Sequence, residues 1–114
     1  MEYLKFEDLE PYEPAGHTGV INHLLVGMEN LSVSDVSIWH GRLYPGGRAD
    51  LHTHPGSLQI YVGLVGTMLV GDGRREEDLG TLGTALFEPG EHHFIENRGD
   101  DDAEVLVISV PGLR

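Results

Sequence analysis

The stretch HTHPGSLQIYVGLVG, residues 52–66, sets His52 and His54 one residue apart, follows them with a Pro-Gly step, and then runs on without a charge. An amide, Gln59, sits inside that run. In a strand, residues two apart share a face and lie about 6.6 Å apart along the chain, so both imidazoles could reach one ion. Gln59 is an odd number of residues beyond His54, which would turn it to the opposite face unless the Pro55-Gly56 turn resets the parity. A third imidazole is available in PGEHHFIEN, where His92 and His93 must face opposite ways. The acidic run Asp100–Asp102 reads as solvated loop, because no spaced series of oxygen ligands follows it. No Ser-His-Asp arrangement, phosphate-binding loop or carboxylate pair competes with the histidines.

The elements that would position these residues are short. The chain has 114 residues, enough for a single domain over 1–114, with 16 glycines and 6 prolines separating brief apolar runs. Strands are expected over Tyr3–Phe6, Val20–Val26, Val36–Tyr44, Ala49–Thr53, Leu58–Leu64, Thr67–Val70, Thr84–Glu88, His92–Glu96 and Glu104–Val110. YPGG, HPGS, GDGR, EPGE and NRGDDD supply the turns. Many short strands at this spacing indicate an all-β sandwich or barrel. In Val36–Tyr44 the face carrying Trp39, Gly41 and Leu43 suits an interior, whereas Arg42 would be costly to bury unpaired. Leu58–Leu64 is apolar on both faces, which predicts an interior on one side and a second layer or a partner subunit on the other.

Composition narrows the partners. Seven Lys and Arg against 19 Asp and Glu give a formal net charge of -12, a surface that repels nucleic acid and anionic membranes. Without cysteine there is neither a disulfide framework nor a thiolate site, so a metal would be held by His, carboxylate or amide. The start, MEYLKFEDLEPYEP, lacks a signal peptide's basic and apolar regions, and the uncharged run from Ser57 to Gly71 is short for a membrane span. A cytoplasmic protein is the expectation.

The segment Gly46–Gly66 resembles the first motif of the cupin superfamily, with Gly46, His52, His54 and Gly66 in register and Gln59 where that motif usually has glutamate. Gly90, His93 and Asn97 match its second motif, although Pro89 is displaced by one and Glu88 stands in the usual proline position. The resemblance implies a jelly-roll β-barrel and one divalent metal ion on His52, His54, Gln59 and His93. His92 is then the outward neighbour, while His17, His23 and His40 have no motif support and are read as loop, core or interface residues. Small cupins commonly pair, so the resemblance and the Leu58–Leu64 strand together imply a homodimer.

An amide in place of a carboxylate leaves a divalent ion its full charge, which favours Lewis-acid chemistry over oxidation to a trivalent state. Imidazole-rich sites accept Zn, Fe, Ni and Mn alike. Trp39 and Gly41 are candidates for a pocket wall, Ser109 for a pocket hydroxyl, and Tyr61 for a proton donor beside a metal-bound water. The three-His, one-Gln set is similar to that of small zinc-dependent cyclases of aromatic polyketide (antibiotic) biosynthesis. The implied function is therefore zinc-assisted aldol ring closure of a poly-β-ketone or another β-dicarbonyl compound. An iron or nickel dioxygenase of dicarbonyl or flavonol-like substrates, a manganese hydroxynitrile lyase and a non-catalytic small-molecule binder are the alternatives.

Overall fold

A computed structural model describes residues 1–113 of the chain. Nine strands account for most of it: β1 (Pro11–Tyr12), β2 (His17–Val26), β3 (Ser37–His52), β4 (Leu58–Val65), β5 (Met68–Gly71), β6 (Glu76–Leu79), β7 (Thr84–Phe87), β8 (His93–Glu96) and β9 (Ala103–Val110). A 3-10 turn, Phe6–Asp8, and one helical turn, α1 (Met28–Leu31), complete the elements. Every pairing is antiparallel, in the order β6-β5-β8-β3-β9-β4-β7, with β2 on β3 and β1 on β2. The result is a nearly closed jelly-roll barrel, with β3 passing from one half of the sandwich to the other.

Alternation decides what points inward. Gln59, Tyr61 and Gly63 of β4 are buried, whereas Leu58, Ile60, Val62 and Leu64 face outward and are half-buried. Trp39, Gly41 and Leu43 of β3 take the interior as their spacing requires. Outside, His40 is bound to Glu104 through Nε2 at 2.6 Å. The interior cluster includes Leu43, Tyr61, Met68, Phe87, Ile95 and Val105, gathered from both halves of the barrel.

Four segments differ from the pattern reading. Val36–Tyr44 and Ala49–Thr53 are one strand, because the YPGG step between them stays paired. Gly46 N–H donates to the Asn97 carbonyl at 2.8 Å, and Asn97 N–H donates to that of Gly47 at 2.8 Å. Gly46 takes φ +81, and a Cβ on Gly47 would stand 2.4 Å from the Gly19 carbonyl oxygen, so both glycines are needed for the strand to pass. Tyr3–Phe6 is not a strand. Its apolar residue Phe6 instead lays its ring on His23 at 4.5 Å and His40 at 5.2 Å. The edge strand β6, EEDL, buries only Leu79 and so has no apolar alternation to betray it. β1, two exposed residues long, is equally silent.

Asn97 fastens the corner where β3 crosses between halves. It is 1 % exposed; its Nδ2 donates to the carbonyls of Leu43 at 2.9 Å and Asp101 at 2.8 Å, and its Oδ1 accepts from Gly99 N–H at 3.0 Å. Asn97→Ala leaves buried backbone groups unpaired and is expected to cost about 2–4 kcal/mol in urea denaturation.

Candidate metal centre

The β3–β8 ladder sets His52 opposite His93. His54 follows directly after β3, in a turn closed by Ser57 N–H to the His54 carbonyl at 3.3 Å. The same carbonyl accepts Gly90 N–H at 3.2 Å, which ties this turn to the one leading into β8. Ring centroids then lie 4.3 Å apart for His52 and His93, 4.9 Å for His52 and His54, and 5.4 Å for His54 and His93. One ring nitrogen from each falls within 4.8 Å of the other two, so the three histidines can hold a single metal ion.

The proton positions favour that role. His52 Nδ1 donates to the Asp50 carbonyl at 2.6 Å, and His93 Nδ1 donates to the Glu91 carbonyl at 2.9 Å. A carbonyl only accepts, so the neutral form of either ring carries its bare lone pair on Nε2. His93 Nε2 is buried without a partner. Burial brings the His93 pKa down to about 4, and burial followed by the neighbouring His52 lowers that of His54. Imidazoles kept neutral are the form that binds a cation.

Gln59 shares the cavity with His52 and His54. Its Nε2 donates to Ser109 Oγ at 3.1 Å, while its Oε1 is buried with no partner. Ser109, 0 % exposed, therefore lies behind the amide and fixes which end of it is free. Across the β4–β7 ladder Gln59 pairs with Phe87, whose ring stacks on His93 at 4.8 Å. The unpartnered Oε1 and Nε2 and the carbonyl-bound Nδ1 atoms are what a divalent ion requires of its surroundings.

Above this end opens a cavity of about 650 Å³. Trp39 and Gly41 line it, as does Tyr61, whose ring lies 6.0 Å from that of His93. Burial raises the Tyr61 pKa, so the hydroxyl keeps its proton. His92 is exposed, outside the site. One residue was assigned no place here by its spacing: His17, the first of β2, lines the cavity with its ring 6.0 Å from that of His52. Its place is in a strand and on the cavity wall, not in a loop. A register shift between Thr18 and Val20 breaks the alternation that would have shown His17 facing inward with Val20 and Asn22.

A single antiparallel barrel with histidines converging from two of its strands defines the class. The family model described as "Cupin domain" matches residues 39–109, and the chain belongs to that family. It is 32 % identical over 69 residues to an oxalate-binding protein of Thermotoga maritima, a match covering 60 % of this chain and 57 % of that one. Among solved structures it resembles a predicted oxalate decarboxylase of Thermotoga maritima, with TM-score 0.85 and 24 % identity over 96 % of this chain and 99 % of that one. It also resembles the polyketide cyclase RemF of Streptomyces resistomycificus, with TM-score 0.82 and 18 % identity over 96 % and 79 % of the two chains. Among the described residues no helix is long and apolar enough to cross a membrane.

The lowered histidine pKa values set a pH dependence for the metal-free protein. Below the ordinary value of 6.5, protons go to the unfolded chain before they reach His93, whose pKa is about 4 in the fold. Stability is therefore full above pH 6.5 and falls as the pH drops toward 4, with His93 contributing a loss of about 3 kcal/mol. Thermal denaturation in chelator at pH 7, 6 and 5 is expected to show a shallower decline for His93→Gln than for the wild type.

Proposed function

We propose that the protein is a metal-dependent enzyme acting on a neutral, flat β-dicarbonyl compound, with aldol ring closure of a poly-β-ketone as its reaction. The lining of the cavity carries this reading: apolar and aromatic side chains such as Tyr12, Trp39, Leu43 and Val107 form its walls, and among the described residues no lysine or arginine lines it. Among the described residues, a phosphate or carboxylate substrate would find no lysine or arginine there, and it would meet the carboxylates of Glu10 and Glu29. A planar carbonyl compound meets apolar surface instead.

His52 and His93 would hold the ion through Nε2, with a ring nitrogen of His54 and Oε1 of Gln59 beside them. A bound divalent ion supplies Lewis-acid stabilisation of adjacent carbonyl and enolate oxygens, with zinc the metal best suited to non-redox work. The chain's own residues do the rest. Ser109 holds the Gln59 Nε2 and so leaves the amide's Oε1 as the free end, and the amide adds no negative charge. Tyr61 retains its proton and acts as a donor, not as a base. Gly41 keeps the wall open: a Cβ there would meet Asn22 Oδ1 at 3.1 Å and Val105 Cγ1 at 3.2 Å.

The relative named for oxalate binding favours a second reading, a small-dicarboxylate binder, since it is 32 % identical to this chain over 69 residues. The absence of lysine and arginine among the described lining residues weighs against it. Metal content of protein purified without added metal, followed by turnover assays with a poly-β-ketone under air and under argon, tests both. Zinc, oxygen-independent ring closure, and a drop of about 100-fold or more in Gln59→Ala and His93→Ala with the fold intact are expected. Full turnover by metal-stripped protein, a requirement for oxygen, or tight oxalate binding without turnover would overturn the reading.

A further inference from the structure

We propose that His17 contacts the substrate, as the hydrogen-bonding partner of an enol or carbonyl oxygen held at the three-histidine centre. The inference rests on the metal-dependent reading above and adds to it a residue that the ligand set does not contain. Among the described residues, four buried side-chain polar atoms have no partner: His17 Nδ1, His40 Nδ1, Gln59 Oε1 and His93 Nε2. Gln59 and His93 belong to the centre itself. His40 lies on the outer face of the barrel, tied to Glu104. His40 Nδ1 stands away from the cavity, so His17 Nδ1 is the unpaired atom on the cavity wall that the centre does not account for, and a buried polar atom left unpaired is unfavourable unless something arrives to pair with it.

The position of His17 says what that something is. It stands opposite Ala49 on the β2–β3 ladder, three residues before His52 on the partner strand. Its ring faces that of His52 at 6.0 Å, yet it lies outside the trio whose nitrogens converge within 4.8 Å. His17 is thus beside the three-histidine group without belonging to it, and it lines the same cavity from β2, a strand not paired with Gln59's β4. A neutral imidazole offers one donor and one acceptor. An enolised β-dicarbonyl presents the same pair, a hydroxyl and a carbonyl, at adjacent oxygens.

The test uses the full chain loaded with zinc and 2,4-pentanedione (acetylacetone) as the probe, with zinc and probe affinities measured separately by calorimetry. His17→Ala is expected to keep zinc affinity within about 2-fold and to weaken acetylacetone binding about 3- to 10-fold. His17→Gln, which retains both hydrogen-bonding functions, is expected to recover most of the loss. His17→Leu, which keeps apolar bulk without either nitrogen, is expected to behave as His17→Ala does. Equal acetylacetone affinity in the wild type and both apolar variants would overturn this inference alone. Zinc loss in His17→Ala comparable to that in His93→Ala would overturn it by making His17 a ligand. A wild-type protein that takes up zinc and binds no acetylacetone would overturn the β-dicarbonyl reading together with it.

Discussion

His52 and His93 face each other across the β3–β8 ladder, and everything else at the site follows from that register. A slip of one residue would turn His93 to the outside and bring the exposed His92 in, with no carbonyl placed to orient it. The register is held from its far end. Arg48 pairs with Glu96, Ala49 with Ile95, and the exchange of hydrogen bonds between Asn97 and the Gly46-Gly47 corner prevents sliding. The irregularity between Ala49 and His52 uses up the remaining freedom by letting the end of β3 curl, so that His54 also turns toward the pair. The contact of Gly90 with the His54 carbonyl then joins the two turns that carry the three rings.

Two electrostatic features act together on this frame. The chain as a whole is at -12, which draws divalent cations toward its surface. At the centre, however, the donors are neutral: burial opposes protonation of His93 and His54, and the fourth polar group is an amide. A carboxylate at position 59 would face the hydroxyl of Ser109 as a donor and would add a charge to the donor set. The glutamine reverses that hydrogen bond, donating to Ser109 Oγ and freeing its carbonyl oxygen. The serine and the glutamine are thus one unit, although they lie on different strands and 50 residues apart.

The parts of this arrangement that were legible in the sequence are those fixed by strong local rules. Gly46, Gly66 and Gly90 all take left-handed backbone angles, which is why their spacing around the histidines can be read at all. Trp39 and Tyr61 follow from strict alternation. What escaped the pattern did so for definite reasons. Tyr3–Phe6 has strand-like residues but no sheet edge to join, and Phe6 serves instead to cover two outer histidines. YPGG has the composition of a turn, yet its backbone groups find a partner in Asn97, just past β8, so the strand continues through it. Ser109 shares the inward face of β9, and nothing local says that an amide rather than open cavity lies above it. His17 is hidden by a bulge whose effect on parity depends on β3, the strand opposite.

The fold itself does not choose among chemistries, since chains named for oxalate, for sugar phosphate isomerisation and for polyketide cyclisation share it at comparable TM-scores. The choice has to come from the walls. A small dianion such as oxalate gains its affinity from concentrated positive charge, and the described lining of this cavity adds no lysine or arginine to the ion, within about 650 Å³ of mostly apolar surroundings. A larger carbonyl compound divides the task. Its oxygens go to the polar end, where Gln59, His93 and His17 have unpaired atoms, and its carbon skeleton lies along Trp39, Val105 and Val107. Under the proposed function, the same walls would hold a flat chain in place and exclude water from the carbons that join, so substrate selection and ring closure would depend on the same apolar surface.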